Sequence, residues 1–229
     1  MNTRYFSKRV LLILLSSLVM TNMAYARCDD KRSPGMDWSG CKKMYKMLDG
    51  VDFSGSKFDS ADLRSSNLDK SGFTGASLVK ADFTRASFIQ SNFLNADLSK
   101  SVGYRANFNG AFILKSKMSK SEFSRSSFQG AELISIDWSR AELGRVDFLN
   151  AHLKDVDFEY SNLSRAIFKG AKLENVNFEG VYTFLTQFEN VDLSSTTRIS
   201  QAQLDIACGN EKTQLPKGLT RPVKWPCEE

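Results

Sequence analysis

The sequence predicts an all-β solenoid, a parallel β-helix of square cross-section with about seven coils and a short C-terminal helix. Three observations predict it. An apolar residue recurs every five positions from Phe53 to Leu193 through 29 pentapeptides without an insertion; 14 of these centres are Phe, 10 are Leu, Ile113, Met118 and Trp138 add three, and only Gly103 and Thr183 break the rule. The residue two before each centre is Ala or Ser in 21 of the 29, small enough to tuck into a corner. All four prolines, Pro34, Pro216, Pro222 and Pro226, lie outside this frame, where they interrupt no strand ladder. A helix buries every third or fourth residue and a strand every second, so a period of five fits neither. If each pentapeptide forms one side and then turns, four sides close a coil, and residues twenty apart pair as parallel strands do.

Residues 1–26 read as a secretory leader: Arg4, Lys8 and Arg9, the apolar run Val10 to Met20, then Ala24-Tyr25-Ala26 as a cleavage site, with no acid before Asp29. The run is too short to span a bilayer as a helix. Cleavage would start the mature chain at Arg27, and Arg27 stands where a lipoprotein reading of Cys28 needs a small residue. The leader carries three of the 31 basic residues and none of the 26 acids, so the formal charge falls from +5 to about +2 on its removal. The expected location is the periplasm of a Gram-negative bacterium, or beyond it.

Residues 27–50 form an expected N-terminal cap, in which Met36-Asp37-Trp38-Ser39-Gly40 keeps the frame of Val51-Asp52-Phe53-Ser54-Gly55 as a degenerate coil. Trp38 then lies over the Phe58 column. The repeat proper is 51–195. Sorted by twenties, one column of centres reads Leu68, Phe88, Phe108, Phe128, Phe148, Phe168, Phe188, and both exceptions, Gly103 and Thr183, fall in another single column, the least regular side. Residues 196–229 form the far cap: Ser200-Gln201-Ala202-Gln203 fits a capping box opening a helix that turns Leu204, Ile206 and Ala207 onto the last coil, with Gly209 as a stop. The tail after Asn210 is expected to have no core of its own.

Four cysteines lie outside the repeat, Cys28 and Cys41 before it and Cys208 and Cys227 after it. An exported chain with an even count reads as two disulfides, with three connectivities open. Seven rungs at about 4.8 Å set the two pairs some 30 Å apart, beyond the reach of a disulfide, which leaves Cys28 with Cys41 and Cys208 with Cys227. The competing reading, a zinc site, is a poor fit because the Cys spacings are wide and the single histidine, His152, lies inside the repeat.

Segments such as Ala61-Asp62-Leu63-Arg64-Ser65, Ala81-Asp82-Phe83-Thr84-Arg85 and Ala96-Asp97-Leu98-Ser99-Lys100 resemble the unit of the pentapeptide-repeat family over about 145 residues. The resemblance implies a right-handed quadrilateral β-helix, and the family hosts many unrelated roles. Its best-known members mimic B-form DNA and bind DNA gyrase through an acidic rod that dimerises by a C-terminal helix. This chain departs from them in its leader, its basic side and its cysteine-pinned end.

No constellation for catalysis is visible, and no cofactor or metal is expected. His152 precedes centre Leu153 and reads as a surface histidine; Asp52, Asp82 and Asp147 occupy the repeat's own polar position. The outward columns say more. Arg85, Arg105, Arg125, Arg145 and Arg165 stand twenty apart, as do Lys80, Lys100, Lys120 and Arg140 five places earlier, so two basic ladders flank one side. Asp62, Asp82, Glu122 and Glu142 run between them; with Arg64 that side counts 10 basic and four acidic residues, so internal pairing neutralises less than half of it. Such a strip suits phosphate or carboxylate groups of an anionic envelope component. Nucleic acid is disfavoured by location and by the absence of aromatic residues at base-stacking spacing. A second surface, Leu94, Leu114 and Ile134 in one outward column with Phe112 beside them, could seat a protein partner. The expected function is therefore a non-enzymatic, rigid binding or scaffold surface, its partner and oligomeric state unassigned.

Overall fold

The computed structural model describes residues 28–227; the expected leader lies outside them. The chain winds as a parallel β-solenoid whose sides pair at a step of twenty residues as far as Thr197, lengthening to 21 and 22 where Gln187 meets Cys208 and Asp192 meets Gln214. One side carries a continuous five-stranded ladder, β1 (Asn92–Leu94), β2 (Phe112–Leu114), β3 (Glu132–Ile134), β4 (His152–Lys154) and β5 (Lys172–Glu174), in register Phe93, Ile113, Leu133, Leu153, Leu173. The other sides pair through single bridges at the same step, as in Asp37, Lys57, Ser77, Asp97, Lys117, Asp137, Asp157, Asn177, Thr197.

The corners explain the period. In the turn Phe83 to Ala86, the Ala86 N–H donates to Phe83 O at 2.7 Å, and Arg85 takes φ 59°, the positive value that a type II turn needs at its third residue. The positive φ recurs at every fifth residue from Gly35 to Asn190, and the hydrogen bond at most of these corners, though not at those that follow β2 to β5. The centre before each turn and the small residue after it both face inward, so every centre from Phe53 to Phe178 that bears a large side chain is buried. The small position holds buried Ser as readily as Ala because its hydroxyl donates to a carbonyl: Ser116 Oγ to Phe93 O at 2.6 Å, Ser126 Oγ to Phe123 O at 2.6 Å.

The expected aromatic column is a ring stack. Phe88 and Phe108 lie 4.7 Å apart at 8°, Phe108 and Phe128 4.8 Å at 5°, and the series continues through Phe148 and Phe168 to Phe188. The centroid steps, 4.7 to 5.7 Å, lie at or somewhat above the strand spacing of about 4.8 Å, so the backbone ladder itself sets the rings in offset contact.

The N-terminal segment is more regular than a degenerate cap. Asp37, Lys42 and Met47 bridge to Lys57, Asp62 and Asn67, and Trp38 packs edge-on to Phe58 at 5.9 Å. The departure is at one centre, occupied by Lys43, whose ammonium lies 3.9 Å from the centroid of the Trp38 ring and donates to Cys28 O. Burial lowers its pKa. The Cys28–Cys41 and Cys208–Cys227 disulfides are both formed, and no free cysteine remains.

At the far end, α1 (Gln201–Ile206) opens with the expected capping box between Ser200 and Gln203. Thr183, a polar centre, is wholly buried and its Oγ1 donates to Gln203 O at 2.7 Å, while Gln203 Nε2 donates to Phe178 O and Val181 O. The break in the apolar rule is thus the joint between coil and helix. Two expectations need correction. The helix stops before Gly209, at Ala207, whose N–H bonds Leu204 O; Gly209 lacks a side chain because the Trp225 ring occupies that space. The tail does contribute to the core, because Trp225 is 8% exposed, donates from Nε1 to Ala207 O at 2.7 Å, and closes the end of the solenoid. Gln214 also pairs with Asp192, which covers an edge.

Candidate anion-binding face

The side that carries the basic ladders is set by the bridges Asp62, Asp82, Val102, Glu122, Glu142, Asn162, Tyr182. Lys80, Lys100, Lys120 and Arg140 stand at the corner before it, and Arg85, Arg105, Arg125, Arg145 and Arg165 at the corner after it. All nine are exposed. All nine also have φ between 57° and 61°, a left-handed conformation that costs a residue with a Cβ on the order of 1 to 2 kcal/mol. The other two corners mostly carry residues suited to that conformation: Gly50, Gly110, Gly130, Asn150 and Gly170 at one, and Gly35, Gly55, Gly75, Asn95 and Asn175 at the other. Long cations therefore occupy two corners against the local backbone preference.

The acids between the ladders do not neutralise them. Arg64 takes Asp62, with Nη2 to Oδ2 at 2.6 Å, and approaches Asp82 at 3.6 Å. Its hydrogen bond holds the Asp62 carboxyl below the ordinary value of 3.8 and raises its own pKa. Glu142 accepts from Asn162 Nδ2 at 2.9 Å. Among the described residues, none of the nine ladder cations forms an ion pair. Pairing within the face was the simplest alternative to a ligand, and only Arg64 carries it out.

Two features of this face were missed in the sequence. Tyr104, half-buried, and Phe184, exposed, stand in the column just before the Arg corner, with the Arg105 guanidinium 5.2 Å from the Tyr104 ring and Arg165 6.0 Å from Phe184. Between the two rings that column is small: Ser124, Gly144, Ser164. A cavity of about 330 Å³ lined by Val102, Tyr104, Glu122, Ser124 and Glu142 opens at one end of it. The signal available in the sequence was the column of residues one place before the arginines.

The apolar stripe is only partly exposed. Leu94, Leu114 and Ile134 are paired in register and half-buried, and Phe112, between Asn92 and Glu132, is 50% exposed. His152 is not a free surface histidine: its side chain is 24% exposed, with Nδ1 2.9 Å from Glu132 Oε2 and Nε2 3.5 Å from Glu174 Oε1. Glu174 also pairs with Lys172 and Lys154, and the Lys172 hydrogen bond lowers its pKa. Among the described residues no cluster of His, Cys, Asp or Glu is arranged to hold a metal, and no helix is long and apolar enough to cross a membrane.

The family model for pentapeptide repeats matches eight copies, over residues 48–85, 81–119, 121–159 and 141–180, more than half of the chain. The chain belongs to the pentapeptide-repeat family. Its fold is accordingly a right-handed β-helix of the kind these proteins share. Two solved structures of QnrB1, a plasmid-mediated fluoroquinolone resistance protein, are similar. A trypsin-treated arginine-to-glutamate variant gives a TM-score of 0.70 at 18% identity, with 81% of this chain and 92% of that one covered. A trypsin-treated methionine-to-arginine variant gives 0.59 at 18%, with 82% and 93% covered. At that identity the likeness concerns the fold alone. No curated protein matches the chain. Pentapeptide-repeat proteins are generally non-enzymatic repeat proteins, in keeping with a site made of surface columns rather than a catalytic cleft.

Proposed function

We propose that this pentapeptide-repeat protein is an exported, non-enzymatic binding rod whose Arg/Lys face engages anionic groups of the cell envelope. The observation that carries the reading is the nine unpaired cations at left-handed corners. They form two straight lines at the strand spacing of about 4.8 Å, and like charges that close repel unless an external anion answers them. Arginine donates to phosphate or carboxylate oxygens through a bidentate fork. Export rests on the leader and accords with two disulfides, which persist in oxidising compartments. Fluoroquinolone resistance is the stated property of QnrB1; the leader and the cationic face turn this chain toward another partner.

Two measurements test the proposal. Residues 1–35 fused to a reporter active only in the periplasm should yield activity, and its loss on replacing Val10 to Met20 with polar residues would locate the signal. The disulfide-bonded chain, expressed with its own leader, should bind lipopolysaccharide or anionic polymers with an affinity that falls as salt rises, and a variant with Arg105, Arg125 and Arg145 changed to Gln should lose that binding. Equal, negligible binding by both proteins would reject the basic face and direct attention to Leu94, Phe112, Leu114 and Ile134.

A further inference from the structure

The basic face is more than a line of charge, because its Arg edge borders a shallow trough of defined length. Tyr104 and Phe184 stand four coils apart in one column, about 19 Å at the strand spacing, with only Ser124, Gly144 and Ser164 between them. One edge of this trough is Arg105, Arg125, Arg145 and Arg165. The opposite edge, two places back along each coil, is Glu122, Glu142, Asn162 and Tyr182. Phe184 is 41% and Tyr182 52% exposed, their rings 6.2 Å apart and 12° from parallel. The cavity at the Tyr104 end is lined by Glu122 and Glu142 as well as by the ring.

We infer that this trough is a subsite for a linear acidic polysaccharide, which rests on the proposed anion-binding role and gives it a substrate class. Each edge does a separate job. The arginines present a fork for a carboxylate or phosphate at each rung, and a linear acidic chain, whose rings are turned about its axis, brings a subset of its charges to that edge. Glu122 and Glu142 would repel a dense array of negative charge such as an anionic lipid surface. They accept hydrogen bonds from hydroxyls, which a sugar supplies. Tyr104 and Phe184 offer ring faces to the apolar faces of pyranoses at the two ends. Duplex DNA fits poorly, because phosphates at 3.4 Å per strand fall out of step with the rungs.

Gly144 gives an independent sign. Its φ is not positive, and a Cβ there would make only ordinary contacts, 3.5 Å to Ser164 Oγ and 3.7 Å to Ser124 Oγ. Neither the turn nor the packing requires glycine at the middle of the trough. The column accepts Tyr104 two coils earlier, so a large side chain at 144 is compatible with the fold. An absent side chain at this point leaves room for an occupant lying close to the backbone.

Calorimetric titration of the disulfide-bonded chain with tetragalacturonate, with neutral cellotetraose, and with vesicles containing phosphatidylglycerol tests the inference. Tetragalacturonate should bind and cellotetraose should bind about tenfold or more weakly. Gly144→Tyr and the Tyr104→Ala/Phe184→Ala pair should each weaken tetragalacturonate by about tenfold, with the Arg ladder intact and the unfolding midpoint of Gly144→Tyr unchanged or raised. Binding to tetragalacturonate that ignores these variants, or vesicle binding that exceeds it, would overturn the trough while leaving the anion-binding face standing. No binding of any anionic probe would overturn both. Arg125→Gln/Arg145→Gln should abolish acidic-ligand binding and leave folding untouched, and tetragalacturonate binding that survives this change would overturn both readings.

Discussion

The Phe123 ring fills the space left in the core by the missing side chain of Gly103. A Cβ built on Gly103 would overlap that ring. As a result Phe83 and Phe123 approach to 6.2 Å between centroids, although two rungs of about 4.8 Å separate their backbones. An apparent fault in the repeat is a repacking in which one aromatic side chain serves two levels. Gly103→Ala should therefore destabilise by roughly 1 to 3 kcal/mol, the range for overpacking a dense core, and Phe123→Leu in the same chain should restore part of it in urea denaturation.

In the aromatic column, Phe128 is wholly buried and stacked between Phe108 and Phe148. Its truncation to Ala should cost about 3 to 5 kcal/mol. Differential scanning calorimetry should show a lowered midpoint, and hydrogen exchange should quicken most in the coils adjoining residue 128.

Both ends invite perturbation. The Cys208–Cys227 bridge closes a separation of 19 residues, for which chain entropy gives about 3 kcal/mol. Replacing both cysteines by Ser should lower stability by up to that amount and release residues 210–227 to proteolysis before the coils are cut. Thr183→Val leaves Gln203 O without its donor, an expected loss of roughly 1 to 3 kcal/mol, seen as faster exchange in α1.

Acid should act on Asp62. Arg64 holds its folded-state pKa below the ordinary 3.8, so its contribution is complete above that value and is lost as pH falls through the lower, folded one. Asp62→Asn should be less stable than the natural chain at neutral pH, and the two should converge in strong acid. A pH series of urea midpoints checks this.

What was legible in the sequence is what repeats. The frame gave the core, the turns, the ring stack and the two ladders, because each depends only on position modulo five or twenty. The capping box at Ser200 and the two disulfides were legible through local chemistry. The tail was not, since Trp225 reaches Ala207 and Gly209 by a path no period describes. The partner of Arg64 and the clamp of Glu132 and Glu174 on His152 depend on which way long side chains lean. The trough was overlooked because its column, Tyr104 to Phe184, has no single residue type to draw attention.

Since pairing follows a step of twenty, the protein's length is quantised in a particular way. Excision of twenty residues from the middle would shorten the rod by one storey and leave every column aligned. Excision of five would keep the turns, the buried centres and the ladders of backbone hydrogen bonds, yet rotate everything downstream by a quarter turn. Arg145 and Arg165 would then stand above Lys80 and Lys100 instead of above Arg85 and Arg105, and Asn150 and Gly170 would take their places on the Arg corner. Folding would survive such a change and the surface would not, so the arithmetic of the coil guards the face rather than the core.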